Sequence, residues 1–194
     1  MMIEIKKVCK EFNGKLVLND LDLTISSGEV ICIMGASGVG KTTLLRIIMG
    51  LEKTDSGFIT DLSGTNLGAV FQEDRLCEGF SAVANIALVL PKTVSREEVK
   101  KELVAVGIPE DELYKPVSKF SGGMKRRVAI VRCMLSDADV LIMDEPLKGL
   151  DDTNKELVSN YINQRRKGRT MIVVTHDKVD IERFQGNIIE LPIL

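Results

Sequence analysis

The run Gly35-Ala36-Ser37-Gly38-Val39-Gly40-Lys41-Thr42 carries the plainest chemistry in the sequence. It matches G-x-x-x-x-G-K-[ST] throughout. Glycines at this spacing let successive backbone N–H groups converge on an anion without Cβ clashes, and a helix starting there adds the positive end of its dipole. A lysine closing the loop can reach outer phosphates as a point charge, and the hydroxyl after it suits Mg2+. Thr43 continues the same helix start. Far downstream, the apolar run Val140-Leu141-Ile142-Met143 ends in adjacent carboxylates, Asp144 and Glu145. At the carboxyl end of a buried strand, one of these can meet the metal and the other can activate a water. Taken singly, the two motifs could be a glycine-rich turn and an acidic turn. In this order they describe a phosphate cradle facing a pair of acids.

Such a cradle must follow a buried strand and open a helix. Glu29 to Met34 is a short β-rich apolar run, and a helix follows from Lys41 to about Met49, ended by Gly50. Residues 2–8 and 16–25 read as strands joined by a turn at Asn13-Gly14, and Gly57–Thr60 and Gly68–Phe71 as shorter strands. The middle turns helical. Ser81 precedes the stripe Val83, Ile86, Ala87 and Leu90, stopped by Pro91. Ser95-Arg96-Glu97-Glu98 is a capping box with Val99, Leu103 and Val106 behind it, and residues 121–135 form another helix. Strands at Asp139–Asp144, Thr170–Thr175 and Asn187–Leu191 then alternate with helices at Thr153–Arg166 and Lys178–Phe184. This rhythm predicts one α/β domain over 1–194, with a mostly parallel sheet and a helical subdomain at 77–135.

Composition narrows the setting. With 44% apolar and 28% charged residues, the 194-residue chain has an ordinary globular balance. A net charge of −2 supplies no basic field, so nucleic acid is not expected as a partner. The triplet Lys125-Arg126-Arg127 reads as a solvated helix face. No apolar run approaches the roughly 18–20 residues that span a bilayer, and Met-Met-Ile-Glu-Ile-Lys-Lys lacks the form of a secretory signal. Cys9, Cys32, Cys77 and Cys133 show no paired spacing and read as reduced thiols.

A phosphate cradle alone leaves kinases, GTPases, helicases and transport ATPases open. Asn154-Lys155 is followed by Glu156-Leu157, without the aspartate that reads guanine, which argues against a GTPase. Phe120-Ser121-Gly122-Gly123-Met124 resembles the Leu-Ser-Gly-Gly-Gln signature of ABC ATPases, and it begins a helix leading into the acidic strand, in that family's order. Ser121 is a good N-cap, and the paired glycines leave N–H groups open at the helix start. The resemblance covers nearly the whole chain and implies a P-loop NTPase fold with a mostly parallel core sheet, a trimmed antiparallel β part and an inserted helical subdomain.

It further implies ATP and Mg2+ as cofactors, ATP hydrolysis to ADP and phosphate, and two nucleotides sandwiched between two cassettes. Ser121, Gly122 and Gly123 would cap the γ-phosphate bound by the other subunit. Gln72 resembles the Q-loop glutamine that touches Mg2+ with Thr42 and Asp144. Leu150-Asp151 resembles the D-loop at the dimer interface, and His176 the switch histidine on the γ-phosphate. Lys41, Gln72, Glu145 and His176 would form the catalytic set. Phe12 occupies the place of the aromatic that stacks on adenine; a core Phe beside a turn is the other reading.

Met124 departs from the signature glutamine, Leu147-Lys148-Gly149 from the usual small residues before the D-loop, and the stretch from Asp55 to Ala69 is short for the family. Val70-Phe71-Gln72-Glu73-Asp74-Arg75-Leu76, with Ala84-Asn85-Ile86-Ala87, is similar to cassettes of nitrate, sulfonate and taurine importers. The implied setting is cytoplasmic, peripheral on the inner face of the cell membrane. The implied partners are a second, identical or different, cassette, a transmembrane permease docking near the Q-loop and helical subdomain, and, for an importer, a solute-binding protein. The alternative is a soluble ABC-type ATPase acting on nucleic acid or ribosomes. Such proteins carry coiled-coil insertions or tandem cassettes, for which the segment between Thr42 and Ser121 is too short.

Overall fold

Asn13 and Gly14 both adopt positive φ, 51° and 79°, as a tight two-residue hairpin turn requires. They join β1 (Ile3–Phe12) to β2 (Lys15–Ile25), and β4 (Ser56–Ile59) adds to the free edge of β1, giving an antiparallel sheet of order β2-β1-β4. The structure, a computed structural model, describes residues 2–90 and 94–192. β1 runs past the predicted end at position 8. Its register shifts between Ile5 and Glu11, with Lys7 at φ 51°, so bulges hide its second half from the alternation pattern.

β3 (Val30–Met34), β5 (Leu67–Val70), β6 (Val140–Asp144), β7 (Thr170–Val174) and β8 (Asn187–Glu190) form a second sheet. Its order is β5-β6-β7-β3-β8, and every pairing is parallel. The three central strands are buried along almost their whole length, which accounts for their unbroken apolar runs. Alternate side chains go to opposite faces. Ile31, Ile33, Ile142 and Val174 join Ile3, Ile25 and helix α1 (Lys41–Ile48) in one core. Cys32, Leu141, Met143 and Val173 join the other helices in a second core. Those helices are α2 (Ala82–Ala87), α3 (Arg96–Ala105), α4 (Gly122–Leu135), α5 (Asp152–Arg165) and α6 (Lys178–Phe184).

α2 is shorter than its apolar stripe predicts. It ends at Ala87, which is exposed, as are Leu88 and Val89. Pro91, expected to stop it, lies outside the described residues. Asn85 is buried and brackets the preceding loop. Its Oδ1 accepts from Cys77 N at 2.7 Å, and its Nδ2 donates to the carbonyls of Cys77, Phe80 and Ser81. The other helix starts follow their side chains. Ser81, Ser95, Ser121, Asp151 and Asp177 each accept a backbone N–H as N-cap, worth about 1 kcal/mol apiece.

Candidate functional site

α1 is the exception among the described α-helices. It begins at Gly40, φ 106°, with no side-chain acceptor, so its first N–H groups remain available. A Cβ at Gly40 would approach Val17 O to 2.8 Å, and one at Gly35, φ 149°, would meet Val39 Cγ1 at 2.7 Å, so no other residue fits either position. Lys41 is buried beneath the loop, its Nζ donating to Gly35 O at 2.7 Å and Ala36 O at 2.8 Å. The ammonium is thereby held against the loop, among the residues that line the cleft.

The adjacent parallel strands deliver the other groups from their carboxyl ends, where open α/β sheets place ligands. β6 ends in Asp144, whose Oδ2 accepts from Thr42 Oγ1 at 2.9 Å. Burial, the largest influence, raises the Asp144 carboxyl above its ordinary value, and the Thr42 hydrogen bond opposes that rise. Glu145 leaves the strand with φ 51°, its N–H donating to Val174 O at 2.9 Å. His176 follows the end of β7, and its Nδ1 lies 2.7 Å from Glu145 Oε1.

These groups line one cleft of about 510 Å3, within the range of small-molecule sites. Gly35, Ala36, Ser37, Gly38, Gly40, Lys41, Thr42 and Thr43 form its floor, and Gln72, Asp144, Glu145 and His176 its walls. Val39 turns away and packs on the core. Phe12 does not line the cleft. It is 42% exposed near the hairpin tip, with Lys10 Nζ 4.9 Å from its ring centroid, so it is no core residue either.

Ser121, Gly122, Gly123 and Asp151 gather elsewhere, along a second cavity of about 560 Å3. Ser121 Oγ accepts from Met124 N at 3.2 Å, and Asp151 Oδ1 accepts from Asn154 N at 2.9 Å. Gln72 and Lys148 line both cavities. Lys148 was legible only as a departure from small residues. Met124 packs against the helical core, and Leu147 is fully buried in it.

The basic triplet is not a solvated face. Lys125 pairs with Glu78 at 2.8 Å, but Arg126 and Arg127 are buried, only 5% and 9% exposed. Arg127 donates from Nη1 to Val106 O, Gly107 O and Asn154 Oδ1, joining α3, α4 and α5. The missed signal is the apolar run Val128-Ala129-Ile130-Val131. A helix that apolar is packed on several sides, and its charged residues are buried with it.

The oxygens of Thr42 and Asp144, a hydroxyl and a desolvated carboxylate already 2.9 Å apart, fit a hard divalent cation sharing its coordination with phosphates.

Residues 18–148 match the family model described as ABC transporter. The lipoprotein-releasing system ATP-binding protein LolD of Bacteroides fragilis is 34% identical, covering 97% of this chain and 100% of the relative. The aliphatic sulfonates import ATP-binding protein SsuB 1 of Rhodococcus jostii is 38% identical, covering 86% of this chain and 69% of the relative. Among solved structures, the dimeric structure of MJ0796, a bacterial ABC transporter cassette, superposes with a TM-score of 0.83 at 29% identity, covering 97% of this chain and 94% of that one. A post-hydrolysis state of the same cassette with ADP and Pi gives 0.84 at 26% identity, with the same coverage. With a cleft built from a glycine loop, two strand-end acids and a histidine, and with a relative matched over its whole length, this chain belongs to the ABC transporter family as an ATP-binding, ATP-hydrolysing subunit.

Proposed function

We propose that two cassettes close face to face, each gripping one ATP in its own glycine loop and capping the partner's with its Ser121–Gly123 helix start. The observation that carries this reading is the split within one chain. The phosphate cradle and the Ser-Gly-Gly start line separate cavities that share Gln72 and Lys148. Each is half of a site, and a second copy supplies the missing half.

Within the half-site, backbone amides and Lys41 hold the phosphates; outside the lining of the cleft, near the hairpin tip, the exposed ring of Phe12 offers a stacking face for adenine. Thr42, Asp144 and Gln72 would hold Mg2+, which when bound offsets charge on the phosphate oxygens. Glu145 accepts the proton of the attacking water, and His176 orients Glu145 and contacts the γ-phosphate. Asp151 lies at the closing interface.

No helix among the described residues is long and apolar enough to cross a membrane. Coupling to transport therefore assigns the crossing to a permease that docks near Gln72 and α2, with the cassette peripheral on the inner face. Relatives at 34–38% identity serve lipoprotein release and the import of sulfonates, spermidine/putrescine and methionine. Cargo in this reading is chosen by the permease and, for an importer, by a solute-binding protein. Sedimentation with and without Mg2+ and ATP, run alongside phosphate release, tests the proposal. A chain that stays monomeric and inert under those conditions, and beside its permease, overturns it.

A further inference from the structure

The segment from Phe71 to Cys77, between β5 and α2, forms neither strand nor helix, so its carbonyls need partners from outside. Two arginines on α4 provide them. Arg126 donates from Nη1 to Phe71 O and from Nη2 to Gln72 O, both at 2.6 Å. Arg132 donates from Nη1 to Arg75 O at 2.9 Å and from Nη2 to Asp74 O at 2.8 Å. Arg126 Nε also lies 3.2 Å from Asp74 Oδ1, an ion pair without a hydrogen bond, and Oδ1 is buried with no hydrogen-bonding partner. Arg126 sits one turn beyond Gly122. Its planar fork sets a separate, rigidly held N–H on each of two successive carbonyls, which a single mobile ammonium does not.

We propose that Arg126 is a positioning residue that fixes Gln72 to the Ser121–Gly123 end of α4, so that the two phosphate-contacting elements move as one body. This rests on the ATPase reading above. A nucleotide that draws Gln72 into the cleft then carries the Ser-Gly-Gly start with it, and the helix presented to the second copy is set by the occupancy of the first cleft.

The test uses the full chain. Arg126→Lys keeps the charge beside Asp74 but replaces the rigid fork with one mobile nitrogen on a shorter stem. It should lower kcat about tenfold or more while KM for ATP stays within about threefold. In hydrogen exchange, Mg2+ and ATP should protect the amides of residues 71–75 and 122–125 together in the unsubstituted chain, and only the first group in the variant. A variant with unchanged kcat, or with both groups still protected together, overturns the proposal. If that variant does not fold, Asp74→Asn carries the test. It removes the ion pair and leaves the fork, so kcat should stay within about twofold, and a tenfold loss overturns the proposal. Absence of turnover in the unsubstituted chain refutes the ATPase reading and the clamp together, and is recognised before any variant is made.

Discussion

Nδ1 of His176 lies 2.7 Å from Oε1 of Glu145, bridging the exits of two adjacent strands, β6 and β7. The imidazole fixes which way the carboxylate faces. Glu145→Gln retains the shape and loses the ability to take a proton. ATP binding should persist while turnover falls about 10²–10⁴-fold, with ATP-bound dimers accumulating on gel filtration. Unchanged phosphate release would refute the assignment of the base.

Lys41 gives its protons to two carbonyls of its own loop, bonds that it can exchange for phosphate oxygens. Lys41→Ala should weaken ATP binding about 10–100-fold, the loss of one charge-assisted contact, as read by calorimetric titration. Near-normal affinity would contradict the cradle.

Gly122 offers a clean probe of closure. A Cβ there meets nothing within 4 Å in the single chain. Gly122→Ala should therefore leave thermal stability unchanged or raise it by up to about 1 kcal/mol. If a partner's phosphate approaches this backbone, the same methyl should lower turnover about tenfold and weaken ATP-driven dimerisation. Full activity would remove Gly122 from the interface.

Asp144 links chemistry to stability. Its pKa is raised in the fold, chiefly by burial. The associated stability is thus present below the ordinary value of 3.8 and lost as the pH rises through the raised one. At neutral pH the ionised carboxylate is a net cost to the nucleotide-free chain. Asp144→Asn should stabilise that state by about 1 kcal/mol, with the gap in thermal midpoint narrowing as the medium is acidified. A lower midpoint at neutral pH, or a gap independent of pH, would contradict the burial account.

Much of this was legible in the residues because local and global preferences agree. β3, β6 and β7 announce themselves as apolar runs because both faces of their sheet are covered, and the run from Gly35 to Thr42 needs its glycines for reasons of close approach. What hid was non-local. The bulges of β1 break its period, and Asn85 looks like an interruption until the loop it brackets is seen. Arg126 and Arg127 look solvated because a basic triplet usually is. Most of their partners are backbone carbonyls, which every residue carries and no sequence displays.

The bend at Glu145 has an evolutionary corollary. A non-glycine residue at φ 51° works against its own backbone by about 1–2 kcal/mol. Replacement by glycine would relax the chain and silence it in one step. Descendants that keep the scaffold but abandon catalysis are therefore expected to shed this glutamate early.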